Sequence, residues 1–331
     1  MKVSGLGEFG LIDLLAKMIR EKGVDRLGRD RPVIGIGDDA AAWRGDASIQ
    51  MATVDTMIQD VHFSLDTITW PELGWKSLAI NLSDIAAMGG VPAYALVALA
   101  LPAETPVDTV TKIYEGMTDC AREFKLAIVG GNVSGSTQIS ITITVLGSSP
   151  ENKVLRRDKA RPGDAIAVTG FLGSAGGGRE MLMKKLKLKP ASTKYLREAF
   201  LHPVPRIAAG RALVGQSIAA AIDVSDGLLA DLRHVCEASR VGARIDISRL
   251  PIHKALKESF GEKAVDLALA GGEDYELLFT GNANKIDRIK AEIDCPVTVI
   301  GEITAGEAGK IDLVNAQGRP VKIKKSGWSH F

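Results

Sequence analysis

Hydrophobic positions follow helical spacing in some stretches of the chain and form short strand-like runs in others. Apolar residues recur every three or four positions, which predicts helices, over residues 9–19, 69–88, 107–124 and 227–238. Short apolar runs between turn residues predict strands at 31–36, 48–54, 94–101, 127–129, 138–146, 164–169, 219–224, 277–280 and 297–300. Because helices and strands alternate along the whole chain, the pattern predicts the α/β class, of the α+β type.

A polar, charged segment between residues 148 and 161 interrupts this pattern. Pro150 lies within the segment and Pro162 directly follows it. A chain of 331 residues is long enough for about two domains. We therefore expect one domain over 1–148 and a second over 149–331.

Charge and cysteine content exclude several classes of protein. Lysine and arginine number 41 and aspartate and glutamate 40, without a basic stripe, so we expect no nucleic-acid partner. Cys120, Cys236 and Cys295 lie far apart, which suits a reducing compartment. The longest apolar run, 91–101, is too short to span a membrane, and the N-terminus lacks the apolar core of a signal peptide. The composition therefore predicts a cytoplasmic protein without a membrane partner.

The first candidate ligand is an acid beside glycine at the end of an apolar strand. In the segment 34–40, Gly35 and Gly37 let the backbone approach a ligand closely, and Asp38 and Asp39 follow. Neighbouring side chains of an extended chain point to opposite faces. We therefore favour Asp38 alone as a ligand, with a polar turn between strands as the alternative.

The second candidate is Asp55, which we expect to end the strand at 48–54. Thr53 and Thr56 supply hydroxyl groups on either side. Carboxylates, hydroxyls and carbonyls are the ligands of a hard cation such as Mg²⁺, although a strand-end turn is the alternative. His62 can hydrogen-bond an anionic substrate, but a lone histidine is more often structural.

The third candidate, Asp84, lies on the helix predicted at 69–88. Ser77, Asn81 and Asp84 are three or four residues apart and form one polar stripe. The stripe could face solvent. Because the last three turns carry few charges, an inward Asp84 that requires a cation is also consistent with the pattern.

A fourth group of acids occurs in the segment 221–228. Asp223 and Ser225 are two residues apart, so a strand would place them on one face. Asp226 stands at the start of the helix that Gly227 begins, where phosphate groups bind readily. Asp226 could instead be a helix N-cap, but that role leaves Asp223 unexplained, so we favour a functional site.

Glycine-rich turns accompany these acids. The turn at 130–135 could present backbone N–H groups to phosphate, and the turn at 270–276 combines glycines with three acids. A further cluster, 173–178, matches no phosphate-loop pattern, and we assign it to close helix–strand packing, with a weak phosphate site as the alternative. Together the acids predict several like charges at one site, which Mg²⁺ ions and a triphosphate would neutralise.

The order and wording of these motifs resemble the thiamine-monophosphate kinase family from about residue 5 to the last residue. The segments that carry the resemblance are Gly7-Glu8-Phe9, Gly35-Ile36-Gly37-Asp38-Asp39-Ala40, Asn81-Leu82-Ser83-Asp84, Ile222-Asp223-Val224-Ser225-Asp226-Gly227, Gly271-Gly272-Glu273-Asp274-Tyr275-Glu276 and Gly327-Trp328-Ser329-His330-Phe331. The family implies the two-domain fold of the aminoimidazole-ribonucleotide-synthetase-like superfamily. It also implies a homodimer through the N-terminal sheets and direct transfer of the ATP γ-phosphoryl group to thiamine monophosphate.

The resemblance also implies roles for individual residues. Those that match Mg²⁺ ligands are Asp38, Thr53, Val54 (through its carbonyl), Asp55, Asp84, Asn132, Asp223 and Asp226. Those that match ATP contacts are Tyr114, Gly131, Asn132, Arg157 and Ser225. Those that match substrate contacts are His62, Glu273 and Trp328, whose ring could stack on thiamine. No covalent enzyme intermediate is expected, since the metal-held Asp55, Asp84 and Asp223 would carry the catalysis.

One position departs from the family, because Asn132 stands where an aspartate is usual. Asparagine keeps an oxygen ligand but removes one negative charge. A catalytically weak nucleotide-binding protein is therefore an alternative. Within the superfamily, selenophosphate synthetase would carry a cysteine before Cys120, and the hydrogenase-maturation relative would end in cysteine rather than Phe331. Aminoimidazole ribonucleotide synthetase fits the motifs less well.

Overall fold

The structure is a computed structural model that describes residues 2–27, 36, 45 and 47–321. The strand predicted at 31–36 lies outside these residues except for its last position, and Asp38 and Trp328 lie outside them entirely. The chain forms two compact units, one of residues 1–85 and 91–152, the other of 86–90 and 153–331. Among the described residues, no helix has both the length and the apolar character needed to cross a membrane.

The elements of the structure confirm the mixed α/β class. The helices are α1 (Val3–Glu21), α2 (Trp70–Ala87), α3 (Val107–Glu123), α4 (Ser174–Met183), α5 (Pro190–Leu201), α6 (Ile207–Gly215), α7 (Leu228–Ser239), α8 (Lys254–Phe260), α9 (Lys263–Ala270) and α10 (Ala283–Glu292). The strands are β1 (Ile49–Ile58), β2 (Val91–Leu101), β3 (Ala127–Gly135), β4 (Ser140–Ser149), β5 (Ala165–Thr169), β6 (Ala220–Asp223), β7 (Gly242–Asp246), β8 (Leu277–Gly281), β9 (Val297–Thr304) and β10 (Ile311–Val314).

The first unit contains a four-stranded sheet in the order β1-β4-β2-β3. β4 runs antiparallel to β1 and β2, while β2 and β3 are parallel. Val97, Leu99 and Ile143 are buried on one face, whereas Ala98 and Thr144 on the other face are exposed or half-buried. The sheet is therefore covered on one side by this unit's own described residues and is partly open on the other.

Helix α2 begins with a local hydrogen-bond arrangement that its sequence encodes. Glu72 accepts from both the N–H and the hydroxyl of Thr69, at 2.9 and 2.8 Å. A glutamate three residues after a threonine commonly binds the free N–H groups at a helix start in this way. The helix ends before Gly89, whose positive φ of 71° suits glycine.

Two strand predictions in the first unit were wrong in extent. β1 continues to Ile58, so Asp55 lies inside the strand rather than at its end. The segment predicted as a glycine-rich turn, 130–135, belongs to β3. Gly131 fits there because a Cβ atom would lie 1.9 Å from the carbonyl oxygen of Val97 on β2. Close strand packing, rather than a phosphate-binding turn, accounts for that glycine.

The second unit contains a six-stranded sheet in the order β10-β7-β9-β5-β8-β6. Only the β10–β7 pair is parallel. Ile166 and Val168 of β5 join one hydrophobic cluster and Ala167 joins another. The sheet is thus buried on both faces, which explains the continuous apolar runs of its strands.

The glycine cluster at 173–178 packs α4 closely against α5 and the segment 270–276, whereas the sequence predicted packing against a strand. A Cβ atom at Gly178 would lie 2.0 Å from the carbonyl oxygen of Leu196 on α5. At Gly176, a Cβ would lie 2.9 Å from the Cα atom of Gly271. These contacts bring α4 against the segment 270–276.

Candidate active site

The first group of predicted ligands meets between β1 and α2. The Thr53 hydroxyl donates to Oδ2 of Asp84 at 2.5 Å, and the Asp55 N–H donates to Oδ1 of Asn81 at 2.9 Å. Strand alternation places Thr53 and Asp55 on the same face of β1, and these contacts show that α2 lies against it. The structure therefore brings Thr53, Asp55 and Asp84 together within the first unit.

The polar stripe of α2 faces the sheet. Ser77 and Asn81 have only 1% and 0% of their surface exposed. The Ser77 hydroxyl donates to the Leu73 carbonyl at 2.6 Å, and the Asn81 amide donates to the Ser77 carbonyl at 3.1 Å. These bonds fix the Asn81 side chain so that its oxygen meets β1. Of the two interpretations of the stripe, the inward one is confirmed.

The carboxylate of Asp55 carries a negative charge that its surroundings do not favour. Burial, together with the charge of Asp84, raises the pKa of Asp55 to about 6. Within the described part of the chain, no group donates a hydrogen bond to this carboxylate. Binding of a proton or a cation would neutralise this unfavourable charge.

This donor set fits a magnesium ion in type but is incomplete in number. Two carboxylates and a hydroxyl are hard oxygen ligands, and Mg²⁺ prefers six of them. Over residues 2–27, 36, 45 and 47–321, no three acidic, histidine or cysteine side chains form a metal-binding group. Further ligands would have to come from water, substrate phosphates or residues such as Asp38.

Two other predicted ligands, Val54 and Gly131, lie on the same sheet as Asp55. The Val54 side chain points to the open face and is 59% exposed, so only its backbone could bind a metal. The strand register aligns Gly131 of β3 with Asp55 of β1, through Ile143 and Val97. Because β1 and β3 are at opposite edges of the sheet, about 14 Å separates them.

Asn132 is exposed in β3 and is also distant from β1. The register pairs it with Ala98, which in turn pairs with Thr142 and thence Thr56. These positions share the open face, the side opposite Asp55. Within one chain, the structure does not bring Asn132 to the Asp55–Asp84 pair.

His62 and Tyr114 differ in how far they can reach a ligand. Nδ1 of His62 accepts from the Ile58 N–H at 3.1 Å, so a neutral ring carries its proton on Nε2, where it is a donor. Tyr114, in α3, has only 5% of its surface exposed, and burial raises its pKa well above the ordinary range. Stacking of Tyr114 on adenine stays a prediction that this burial does not favour.

The acids of the second unit lie where β6 gives way to α7. Asp223 is the last residue of β6 and is 3% exposed, while Ser225 and Asp226 are half-buried in the loop that follows. Ser225 is therefore not on the strand, and the expectation that strand alternation aligns it with Asp223 was wrong. Asp226 is not the N-cap either, because Gly227 holds that position.

Asp231, in the first turn of α7, is a residue that the sequence analysis missed. Its Oδ2 accepts hydrogen bonds from the N–H groups of Ser225, Asp226 and Gly227, at 3.1, 3.1 and 3.0 Å. The expectation that this helix start binds phosphate through its amides is thereby corrected, since the protein's own carboxylate occupies them. The acid in the first turn was the available signal, but a capping box would place it one residue earlier.

The charges of Asp223 and Asp226 contribute to a raised pKa at Asp231. Burial is the largest cause that raises the pKa of Asp231 to about 8, followed by the charges of Asp223 and Asp226. The N–H groups of Gly227 and Asp226 act in the opposite direction. A cation held by Asp223 and Asp226 would remove the repulsion that these three carboxylates share.

The loop 271–276 is joined to this acid-bearing loop by backbone hydrogen bonds. Glu273 N–H donates to the Ser225 carbonyl at 2.7 Å, and Tyr275 N–H donates to the Val224 carbonyl at 2.9 Å. Glu273 also lies 3.9 Å from Arg179. The structure therefore brings predicted nucleotide contact Ser225 and predicted substrate contact Glu273 into direct contact.

The other acids of the 271–276 loop are structural. Asp274 accepts from the N–H groups of Gly173 and Ala175, at 2.6 and 3.1 Å, and so caps α4. Burial raises the pKa of Asp274 to about 7. Glu276 accepts two hydrogen bonds from Arg206, at 2.7 and 2.6 Å, and one from Thr169 at 2.6 Å.

Arg157 is exposed in a short 3₁₀ helix, 157–159. The neighbouring Arg156 forms two hydrogen bonds of 2.7 Å with Asp158. The side chain of Arg156 is thus engaged locally, which supports the choice of Arg157 as the phosphate contact.

Comparisons with known proteins first define the class. The family described as AIR synthase related protein, N-terminal domain, matches residues 37–149, and its C-terminal domain matches residues 161–314. The chain thus has both domains of an AIR synthase-like protein, and the predicted two-domain fold is confirmed.

Relatives over the full length define the particular family. Thiamine-monophosphate kinase of Bacillus subtilis (strain 168) is 35% identical over 334 residues, covering 98% of this chain and 100% of the relative. The crystal structure of thiamine-monophosphate kinase from Stenotrophomonas maltophilia K279a is 37% identical with a TM-score of 0.82, covering 93% and 96%. A structure described as AaThiL complexed with AMPPCP and TMP is 32% identical with a TM-score of 0.77, covering 100% and 99%. The chain belongs to the thiamine-monophosphate kinase family.

Proposed function

We propose that this protein transfers the γ-phosphoryl group of ATP to thiamine monophosphate. An oxygen of the thiamine phosphate attacks the γ-phosphorus in line, the bond from that phosphorus to the β–γ bridging oxygen breaks, and ADP leaves. The acceptor is already an anion, so no strong general base is required. The products are thiamine diphosphate and ADP.

The observation that carries this proposal is the Asp55–Asp84 pair with Thr53. Asp84 of α2 accepts from Thr53 of β1, and burial together with the charge of Asp84 raises the pKa of Asp55 to about 6. Because none of the described residues donates a hydrogen bond to the Asp55 carboxylate, such a pair is suited to a cation. Mg²⁺, when bound with the triphosphate, would neutralise the charge on the transferred group.

Several residues would share the binding of the metal ions and ATP. In the first unit Asp55, Asp84 and Thr53 offer side-chain oxygens, and Val54 offers its carbonyl. In the second unit Asp223 and Asp226 offer carboxylates, and Ser225 a hydroxyl. Arg157 would supply positive charge to the phosphates. Catalysis then depends on alignment and charge neutralisation.

Substrate recognition would use His62, Glu273 and Trp328. His62 donates from Nε2, a suitable partner for the phosphate of thiamine monophosphate. Glu273 is held beside Ser225 by its own N–H, so its carboxylate would lie near the nucleotide. Trp328 would stack on the thiamine ring. Purified protein incubated with Mg·ATP and thiamine monophosphate should yield equimolar thiamine diphosphate and ADP, and none without Mg²⁺.

The product assay separates this function from a binding-only protein. Mg·ATP binding without thiamine diphosphate would contradict the kinase proposal and favour a regulatory nucleotide-binding role. Asn132 would then be the first position to restore to aspartate. Free thiamine in place of the monophosphate serves as the acceptor control, since it lacks the attacking phosphate oxygen.

The proposal includes a homodimer through the open face of the first-unit sheet. Ala98 is exposed and Val54 is 59% exposed on this face, so a second copy could cover it. Gly131 and Asn132 lie on the edge strand opposite Asp55, and one chain alone does not bring them together. A partner copy on this face would bring its own Gly131 and Asn132 to β1, where the Val54 carbonyl is a proposed ligand of the same metal site.

Mixing two inactive variants tests this shared site. Asp55→Ala and Asn132→Arg each damage a different contribution, so a mixed dimer retains one intact site. Co-refolded variants should regain up to about a quarter of wild-type activity, because half the dimers are mixed and each has one site. No recovery, with dimers present by light scattering, would contradict sharing. Ala98→Arg should yield monomers.

Domain roles and location complete the proposal. Residues 1–148 would carry metal, ATP and dimer contacts, and 149–331 the remaining ligands. Cys120, Cys236 and Cys295 are free. Unpaired cysteines suit the reducing cytoplasm, where we place the reaction.

A further inference from the structure

Asp231 is buried beneath the loop that bears Asp223, Ser225 and Asp226. Only 2% of its surface is exposed. Three consecutive N–H groups, those of residues 225–227, donate to one atom, its Oδ2, at 3.0–3.1 Å. Three donors on a single oxygen determine the position of the loop backbone more closely than a single cap would.

Successive N–H groups that point to one place usually form a binding site for an anion. In this loop Oδ2 of Asp231, a part of the protein, takes that place before any ligand binds. The loop's shape is therefore set by the chain itself. Phosphate groups would have to be met by side chains and metal rather than by these amides.

The opposite side of the loop is fixed as well. The carbonyls of Ser225 and Val224 accept from the N–H groups of Glu273 and Tyr275, and Glu276 carbonyl accepts from the Val224 N–H at 2.8 Å. The N–H groups of residues 225–227 thus bind Asp231, and the backbone of Val224 and Ser225 binds the 271–276 segment. With the backbone held on both sides, the side chains of Ser225 and Asp226 are available to meet a ligand.

We propose that Asp231 is a positioning residue for the kinase reaction, which holds the 225–227 backbone so that Asp223, Ser225 and Asp226 are directed at Mg·ATP. The inference rests on the proposed function. It predicts that removal of Asp231 weakens Mg·ATP binding, although Asp231 itself contacts no substrate. Outer partners of metal ligands typically contribute about 10–100-fold to affinity or activity.

Three variants and a matched control test the role. Asp231→Ala removes the acceptor, Asp231→Asn retains one carbonyl oxygen for the three N–H groups, and Asp231→Glu moves the carboxylate by one methylene. Asn282→Ala removes another helix-start acceptor of the same unit, the bond from Asn284 N–H to Asn282 Oδ1 at 3.0 Å. Asn282 lies at the start of α10, outside the acid-bearing loop.

Two measurements are made on each variant, hydrogen exchange of the 223–228 backbone and Mg·ATP affinity by calorimetry. In Asp231→Ala, exchange should accelerate at 225–227 and the Mg·ATP dissociation constant should rise at least tenfold. Asp231→Asn should fall between Asp231→Ala and wild type, and Asn282→Ala should match wild type. The KM for Mg·ATP should rise more than that for thiamine monophosphate.

Equal Mg·ATP affinity in wild type and Asp231→Ala would overturn the inference, as would equal effects in Asp231→Ala and Asn282→Ala. If Asp231→Ala does not fold, Asp231→Glu decides, since wild-type affinity there would also overturn it. Failure of the proposed function is seen separately, because the wild-type protein would then form no thiamine diphosphate. The exchange and Mg·ATP measurements need no turnover.

Discussion

The two acid-bearing regions of the molecule differ in the hydrogen bonds that their buried carboxylates accept. In the first unit, Asp55 and Asp84 come from a strand and a helix, and no donor from the described residues meets the Asp55 carboxylate. In the second unit, Asp231 has three N–H donors on one oxygen. Both Asp55 and Asp231 have raised pKa values, to about 6 and about 8.

A raised pKa therefore does not separate a ligand from a structural acid, but the hydrogen bonds do. Asp231, Asp274 and Glu276 each accept two or more hydrogen bonds, from backbone amides, a hydroxyl or an arginine. Binding of a cation to such an oxygen would add little stability, because the oxygen already accepts hydrogen bonds. Within the residues that the structure describes, the Asp55 carboxylate accepts no such hydrogen bond, so an external cation can compensate its charge. Internally and externally compensated acids should therefore respond differently to mutation.

The largest expected effect is loss of internal compensation at Glu276. Arg206→Ala removes both of its 2.6–2.7 Å hydrogen bonds and leaves a buried carboxylate without its cation. Removing one partner of a buried ion pair costs about 3–5 kcal/mol. Urea unfolding should show a loss of that order in the unfolding free energy of the second unit.

An exposed pair of the same chemistry provides the control. Arg244 and Glu302 form an ion pair with side chains 56% and 48% exposed, so Arg244→Ala should cost at most about 1 kcal/mol. Adding Glu276→Gln to Arg206→Ala should recover part of the loss, because the uncompensated charge disappears. Equal losses in Arg206→Ala and Arg244→Ala would mean that Glu276 does not depend on Arg206.

Loss of an externally compensated acid should affect turnover rather than folding. We expect Asp55→Ala and Asp223→Ala to reduce kcat at least about 10²–10³-fold, because each removes charge that would hold Mg·ATP. Circular dichroism and unfolding midpoints should stay near wild type. Asp66→Ala, at an exposed aspartate of the first unit, is the matched control. Near-normal turnover with full Mg²⁺ affinity in both variants would contradict the metal assignment.

The sequence predicted those acids better than it predicted their surroundings. Local motifs identify Asp55, Asp84 and Asp223, because an acid in an apolar run needs a special reason. The burial of Ser77 and Asn81 could not be decided locally, since a polar stripe can face water or a neighbouring strand. Tertiary contact between α2 and β1 settled that choice.

Asp231 and Arg206 escaped prediction for a different physical reason. Asp231 acts on amides four to six residues earlier, and ordinary first-turn acids look the same in sequence. Arg206 meets Glu276 from 70 residues away, a distance over which no local pattern operates. Likewise, the strand order that separates Gly131 from Asp55 follows from sheet topology and not from either motif.

A smaller effect should appear in the pH dependence of metal-free stability. The folded-state pKa of Asp55, about 6, exceeds the ordinary 3.8, so between these values the folded protein keeps a proton that the unfolded chain has lost. The unfolding free energy should therefore fall as pH rises from about 4 to about 6, by roughly 1–2 kcal/mol. Asp55→Asn should remove this part of the slope in urea unfolding with EDTA. Parallel wild-type and Asp55→Asn curves would show that Asp55 ionises without penalty.

The smallest effect should come from Asn132, an exposed position on the edge strand β3. Asn132→Asp adds one negative charge, and an exposed charge contributes about 0.2–1 kcal/mol. The Mg²⁺ concentration for half-maximal activity should therefore fall about 1.4- to fivefold. Gln138→Glu, at an exposed position just before β4, adds the same charge without a proposed ligand role. If both variants lower the Mg²⁺ requirement equally, the effect comes from the added negative charge near this edge of the sheet and not from a ligand at position 132. If only Asn132→Asp lowers the Mg²⁺ requirement, Asn132 contacts the metal. The cation that compensates Asp55 would then also be bound by β3, which the sheet topology separates from Asp55 within one chain.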